Sequence, residues 1–391
     1  MAQARSTALR ALAVAGVATL GLAACGSSSK SSTSSGSGSS SGTKSVTLGF
    51  FGALTGSNQA LGINIENGEK LAISQYMASN PKVKVTLKPF DSQGDPSQAS
   101  NGATTLINAK VVAVVGPAFS GESKAADPFF QQAGIPTVSA SATNVALAQQ
   151  GDKFFHRVVA ADDAQGPGDA NYLVKTLGAK TVAVIDDSSS YGQGLANYVR
   201  TQVKTAGAQD TLDDHVDPNG QDYSSTVNKI KAAKPDAVFY GGYYDAAGRL
   251  VKQLKDAGYT GNFMSGDGSE DSHIIADAGG PATANGVYLS CACEDTSTAA
   301  NAQAFNAAYQ AAYGTPPAIY SAEAYDAANI ILAAIKAGST TPGAINTYLA
   351  THSYPGITKT IKFQPNGDIA GGTIYVYQVK NGKITQIGTT S

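Results

Sequence analysis

The sequence predicts an α/β protein made of two lobes, each built on a mostly parallel sheet. Short β-branched runs alternate with amphipathic stretches of helical length, which is the pattern of parallel α/β architecture. That series is used twice along the chain. The roughly 345 residues that follow a Ser/Gly-rich segment also exceed the size at which single hydrophobic cores stop growing.

Val46–Phe50 reads as the first strand and Ile63–Ala78 as its helix, with Ile65, Leu71 and Ile73 among the apolar positions facing the sheet. Val83–Phe90 is a strand, Pro96–Asn108 a helix with proline in its first turn, Val111–Val115 a buried strand and Ser123–Gln132 a short helix. Ile135–Ser139 follows as a strand. The second series starts with Thr181–Ile185 and helix Gly194–Thr205, then has strands Asp236–Tyr240 and Asn262–Ser265 flanking helix Ala246–Ala257. A strand at Val287–Ser290 precedes helices at Ala299–Tyr313, Ala322–Ile335 and Pro342–Ala350. At the end, Thr373–Val379 and Lys383–Ile387 flank Lys380-Asn381-Gly382, and Asn-Gly is a strong local signal for a tight hairpin.

The first 24 residues have a basic start (Arg5, Arg10), then an uncharged stretch from Ala11 to Leu22, then small residues before Cys25. That is the layout of a secretory signal, and about a dozen apolar residues are too few to span a bilayer as a helix. Because the cleavage box ends in cysteine, residues 1–24 resemble a bacterial lipoprotein signal, with a diacylglyceryl group placed on Cys25; the alternative is an ordinary secretory signal. Residues 25–45 are then a tether, almost all Ser, Gly, Thr and Lys, spanning on the order of 25 Å as a flexible coil.

Without residues 1–24, 25 basic residues face 29 acidic ones, a net charge of −4. Charged residues are only 14% of the chain and no basic cluster occurs, so a nucleic-acid partner is not expected. Cys291 and Cys293 either close on each other or stand as free thiols. His156, His215, His273 and His352 are widely spaced and give no metal-ligand pattern, so neither metal nor cofactor is expected.

In open parallel sheets ligands bind outside the carboxyl ends of the strands, so the loops there are the candidates. Gly116-Pro117-Ala118-Phe119-Ser120-Gly121 joins a buried strand to a helix, where backbone N–H groups and the Ser120 hydroxyl suit a carboxylate; otherwise Ser120 only caps the helix. Ser139-Ala140-Ser141-Ala142-Thr143 offers hydroxyls after the next strand. Asp267, between Gly266 and Gly268, is either a turn residue or an acid facing a ligand. Tyr191 and Tyr243 stand among glycines in loops, as core caps or as ligand contacts.

The motifs in order are Gly52-Ala53-Leu54-Thr55-Gly56, Asp91 through Asp95-Pro96, Val115-Gly116-Pro117 with Ser120, Gln165-Gly166-Pro167, Tyr191-Gly192-Gln193-Gly194-Leu195, Tyr240-Gly241-Gly242-Tyr243 and Phe263-Met264-Ser265-Gly266. With that order and spacing, Val46 to Ile387 resembles the type I periplasmic binding proteins of the branched-chain amino acid group (leucine/isoleucine/valine-binding proteins) that serve ABC importers. The resemblance implies two Rossmann-like lobes joined by three hinge crossings, near Ala160–Asp163, Ser290–Glu294 and Gly367–Thr373. Lobe 1 would comprise 46–161 plus 291–370, and lobe 2 would comprise 162–290 plus 371–391. It implies that Ser120 and Thr143 hold a ligand carboxylate, that the Ser141 carbonyl and Asp267 take its ammonium, and that Tyr191 and Tyr243 close over it. Leu61, Ala118, Phe119 and Tyr320 would line the side-chain pocket.

Two departures stand out. Asp267 occupies a position where members often have Glu, and Gly94 stands where some have a cysteine of a family disulfide. The implied protein is a monomeric, extracytoplasmic solute-binding lipoprotein, held at the outer face of the cell membrane through Cys25, with an amino acid as ligand and ABC permease subunits as partners. Amide, urea or aromatic-acid ligands and a sensory role are the alternatives. An enzyme on this fold is disfavoured, since Gly-x-Ser-x-Gly, Walker and strand-linked Gly-x-Gly-x-x-Gly motifs are lacking and no candidate loop holds a histidine.

Overall fold

The computed structural model describes residues 44–297 and 299–390. The proposed signal, Cys25 and nearly all of the tether lie outside these residues. The first sheet is wholly parallel, in the order β2-β1-β3-β4-β5, from β1 (Lys44–Gly52), β2 (Val83–Asp91), β3 (Val111–Val115), β4 (Thr137–Ser139) and β5 (Phe155–Arg157). All five residues of β3 are buried, as expected of a Val-rich strand inside a parallel sheet.

The second sheet contains β6 (Thr181–Asp186), β7 (Gln209–His215), β8 (Ala237–Gly241), β9 (Asn262–Ser265) and β10 (Tyr288–Cys291), all parallel. A two-residue ribbon, β11 (Tyr354–Pro355) with β12 (Thr360–Ile361), stands apart. β13 (Tyr375–Lys380) and β14 (Lys383–Thr389) then add antiparallel strands next to β10, completing the order β14-β13-β10-β9-β8-β6-β7. Lys380 pairs with Lys383, so Asn381-Gly382 is a two-residue loop with both φ values positive, 50° and 76°.

The chain leaves the first sheet after β5, leaves the second after β10, and enters the second again before β13. Between the last two crossings, helix Ser321–Lys336 packs on helix Gln59–Ala78, on the first sheet's side. The crossings touch, for a Cβ on Gly372 would lie 2.5 Å from that of Ala160.

Several elements escape the sequence pattern, helix Ser224–Ala233 among them. β5 and β7 are edge strands, and β7, Gln-Asp-Thr-Leu-Asp-Asp-His, is too polar to show an apolar run. Helix Asp162–Asn171 carries Gly166, Pro167 and Gly168, which read locally as a turn. Its reason is packing: a Cβ on Gly166 would come 2.5 Å from Tyr198 Cβ on helix Ser190–Thr205.

Candidate functional site

The loops after β3, β4, β6, β8 and β9 converge on one pocket with the start of helix Gln59–Ala78. Its lining comprises Leu61, Ile65, Ala118, Phe119, Ser120, Ser141, Tyr191, Tyr243, Asp267, Gly268 and Tyr320. Nine of the ten side chains expected at a ligand are among them. The space between atom surfaces is about 280 Å³, but the centre of a water-sized sphere can occupy only about 10 Å³ of it. That is scarcely room for one water, so a larger ligand enters only when the walls separate.

Asp267 forms the polar end. It is 2% exposed, and its Oδ1 accepts from the Tyr191 hydroxyl at 2.8 Å while its Oδ2 accepts from the Tyr320 hydroxyl. The Tyr191 oxygen in turn accepts from the Gly268 N–H at 2.9 Å. Burial raises the Asp267 pKa, and the two tyrosine hydrogen bonds act against that rise. No lining residue is basic.

The start of helix Ser120–Ala133 forms another part of the lining. Ser120 is its first residue, and its hydroxyl accepts from the Asn144 N–H at 3.2 Å instead of capping the helix. Glu122 accepts from the Phe119 N–H at 3.3 Å and from Ser92; burial pushes its pKa up to about 8. The Ser141 hydroxyl donates to the Ala118 carbonyl at 2.6 Å, tying the two loops together.

Phe119 and Tyr243 meet edge to face with ring centroids 5.2 Å apart, and Tyr243 lies at the same distance from Tyr191. Phe119 and Tyr243 also line a larger cleft of about 680 Å³ that includes Ser57, Asp95 and Asp187. They therefore stand between the inner pocket and the wider mouth. Two hydrogen bonds join the layers nearby: Tyr244 donates to the Ser57 carbonyl at 2.7 Å, and the Asn144 amide donates to the Ser190 carbonyl at 2.5 Å.

Several expectations need correction. Tyr191 is not in a loop but in the first turn of helix Ser190–Thr205, which starts early because Ser189 accepts from the Gly192 N–H at 2.9 Å. Tyr243 immediately precedes helix Tyr244–Asp256. Thr143 is not among the residues lining the pocket; it is fully buried and adjoins Asp162. Tyr320 is more than an apolar wall, since its hydroxyl reaches Asp267. Of the two states expected for Cys291 and Cys293, the disulfide is the one present, where the chain leaves β10.

Ile65, expected only to face the sheet, also lines the pocket one turn beyond Leu61 on the same helix face, and Gly268 joins it there. Behind the pocket, buried Arg157 donates to the carbonyls of Ala142 at 3.1 Å and Asn144 at 2.8 Å, and pairs with Asp368 at 2.6 Å. It fixes the loop that presents Ser141. Asp162, also behind it, is pushed up to about 8 by burial and then by the charge of Asp267.

Residues 45–383 match the periplasmic binding protein family. An amino acid binding protein of Pseudomonas aeruginosa is 30% identical over 85% of this chain and 90% of its own. The Leu/Ile/Val-binding protein BraC3 of Rhizobium johnstonii is 28% identical over 87% of this chain and 93% of its own. The structure of the branched-chain amino acid transporter substrate binding protein LivJ from Streptococcus pneumoniae, in complex with isoleucine, superposes with a TM-score of 0.82 at 28% identity, over 89% of this chain and 99% of that one. With its two mostly parallel sheets, three crossings and pocket at the strand ends, the chain belongs to the periplasmic binding protein family, in its type I, branched-chain amino acid branch.

Proposed function

We propose that this protein is an extracytoplasmic solute-binding lipoprotein of an ABC importer, which takes an apolar α-amino acid into the inter-lobe pocket and delivers it to the permease. The observation that carries this reading is Asp267, a carboxylate buried at one end of a pocket lined by Leu61, Ile65, Ala118 and Phe119, with no basic residue in the lining. A buried anion needs a positive partner, and a ligand ammonium supplies one. Elsewhere in the lining, the start of helix Ser120–Ala133 suits the ligand carboxylate. The apolar residues suit a short aliphatic side chain.

Ser120, Ser141, Tyr191, Tyr243 and Asp267 are the polar contacts, with the lobes divided as the sequence suggests. A neutral amide or an aromatic acid fits less well, because an acid lacking an ammonium would bring a second anion beside Asp267. Ligand held by both layers stabilises the closed arrangement by differential affinity, and closure is what a permease can read. The lipid on Cys25 and the tether keep the monomeric receptor near its permease. The reading is of binding without turnover.

The experiment is a thermal-unfolding screen of the mature protein against free amino acids, amides and aromatic acids, with the ligand recovered and weighed by mass spectrometry. Branched-chain amino acids should raise the midpoint saturably and return unchanged. Stabilisation by amides or aromatic acids alone, or chemical conversion of the ligand, would refute the proposal.

A further inference from the structure

The motif Gln165-Gly166-Pro167 lies in helix Asp162–Asn171, and none of its residues lines the ligand pocket. Gln165 is nevertheless fully buried. Its Nε2 donates to the Ser290 hydroxyl at 2.9 Å and to the Ser290 carbonyl at 3.3 Å. Ser290 stands in β10, one residue before that strand ends at Cys291. The same amide faces the Asp267 carboxylate: burial raises the Asp267 pKa, and a hydrogen bond from Gln165 joins those of Tyr320 and Tyr191 in working against the rise.

Glycine makes the room for this. A Cβ on Gly266 would lie 2.7 Å from the Tyr191 hydroxyl oxygen and 3.1 Å from Gln165 Nε2, so both donors sit against the residue before Asp267. They come from helices Ser190–Thr205 and Asp162–Asn171, whose close approach at Gly166 brings both to one loop. Asp162 lies three residues before Gln165 and Asp169 four after it, on the same helix face, and both are fully buried and feel the charge of Asp267. Gln165 is thus the neutral donor in a strip whose other members, when ionised, repel that carboxylate.

The three donors to Asp267 differ in origin. Tyr320 precedes helix Ser321–Lys336, on the first sheet's side, whereas Tyr191 and Gln165 belong to helices packed with the second sheet, whose strand β9 leads into Asp267 itself. Separating the layers would withdraw Tyr320 and leave the other two. We infer that Gln165 is a positioning residue for the bound amino acid: it ties the carboxylate that meets the ligand ammonium to Ser290, and so to the roots of the first and second crossings. It keeps Asp267 aimed before closure supplies Tyr320, which is preorganisation by a neighbour that the ligand never touches. The inference rests on the transport reading, which supplies the ammonium.

The test is calorimetric titration of leucine, isoleucine and valine into the full mature protein and the variants Gln165→Met, Ser290→Ala and Asp267→Ala, with Gln165→Met also combined with Asp267→Ala. Gln165→Met removes a hydrogen bond to a charged group and should weaken the tightest of the three ligands about tenfold. Ser290→Ala only frees the amide and should cost about threefold. In the Asp267→Ala background the Gln165 change should cost less than about twofold, because its effect runs through that carboxylate. A residue that merely supports the fold would lower affinity equally in both backgrounds, or lower the thermal midpoint and leave affinity unchanged; either result would overturn the inference. If Gln165→Met does not fold, Ser290→Ala, alone and combined with Asp267→Ala, decides by the same comparison. A wild type that binds none of the three ligands would overturn the transport reading and this inference together. Wild-type affinity retained in both Gln165→Met and Ser290→Ala would overturn this inference alone.

Discussion

The Tyr320 hydroxyl donates to Asp267 Oδ2, joining the residue before helix Ser321–Lys336 to the loop that follows β9. Tyr320 holds a left-handed backbone conformation, φ 64°, which a bulky residue seldom adopts. Such strain costs on the order of 1–3 kcal/mol and persists where the surroundings over-determine it. Here the hydroxyl contact and the burial of the ring do so, and the carboxylate is thereby aimed between two tyrosines.

Phe119→Ala should enlarge the pocket toward the wider mouth, since its ring is half of the pair that separates them. Affinity should shift from valine toward longer or aromatic side chains, with changes of about 1–3 kcal/mol between competitors. Competition titrations across a side-chain series check this. A uniform loss for every ligand would assign Phe119 to the fold alone.

Tyr244→Phe removes the donor to the Ser57 carbonyl while keeping the ring. One neutral hydrogen bond contributes about 0.5–1.5 kcal/mol, so ligand affinity should fall by roughly 2- to 10-fold, mostly as faster release. Stopped-flow tyrosine fluorescence reads the release rate. An unchanged rate would mean this contact does not hold the closed arrangement.

Arg157→Met leaves Asp368 and two carbonyls without their buried donor. Removing one partner of a buried pair costs about 3–5 kcal/mol, and the midpoint in a urea titration should move accordingly. A shift below about 1 kcal/mol would show the guanidinium to be compensated by water.

Stability of the ligand-free protein should fall as pH rises from 6.5 to 8. Glu122 and Asp162 have folded-state pKa values near 8 and Glu323 near 7, all raised first by burial, so the folded state binds more protons than the unfolded one across this window. Their contribution is complete below the ordinary carboxylate range and is lost as pH climbs through the raised values. His156, lowered to about 4 by burial from an ordinary 6.5, acts in the opposite sense but only below this window. Thermal midpoints that rise between these pH values would contradict the assignment of these groups as buried acids.

Much of this arrangement can be read from the chain because its signals are local. Val111–Val115 is a run of β-branched residues closed by Gly116-Pro117, and Asn381-Gly382 specifies a two-residue turn; both stand where expected. Helix starts are less legible: Ser189 and Ser190 move Tyr191 from loop into helix through a cap that resembles any serine-rich turn. Arg157 and Asp162 were invisible as site supports, because their partners lie in other segments and only folding brings them together. Thr143 lies outside the lining for the related reason that a hydroxyl after a strand does not reveal which neighbours folding brings to it.

The most direct measurement is calorimetric titration of leucine and isoleucine into the mature wild-type protein and Asp267→Ala. The account predicts one saturable site in the wild type and, since truncating one partner of a buried charge pair costs about 2–5 kcal/mol, a loss of roughly 30-fold or more in the variant. Affinity in Asp267→Ala within about threefold of the wild type, which is under 1 kcal/mol, would contradict it.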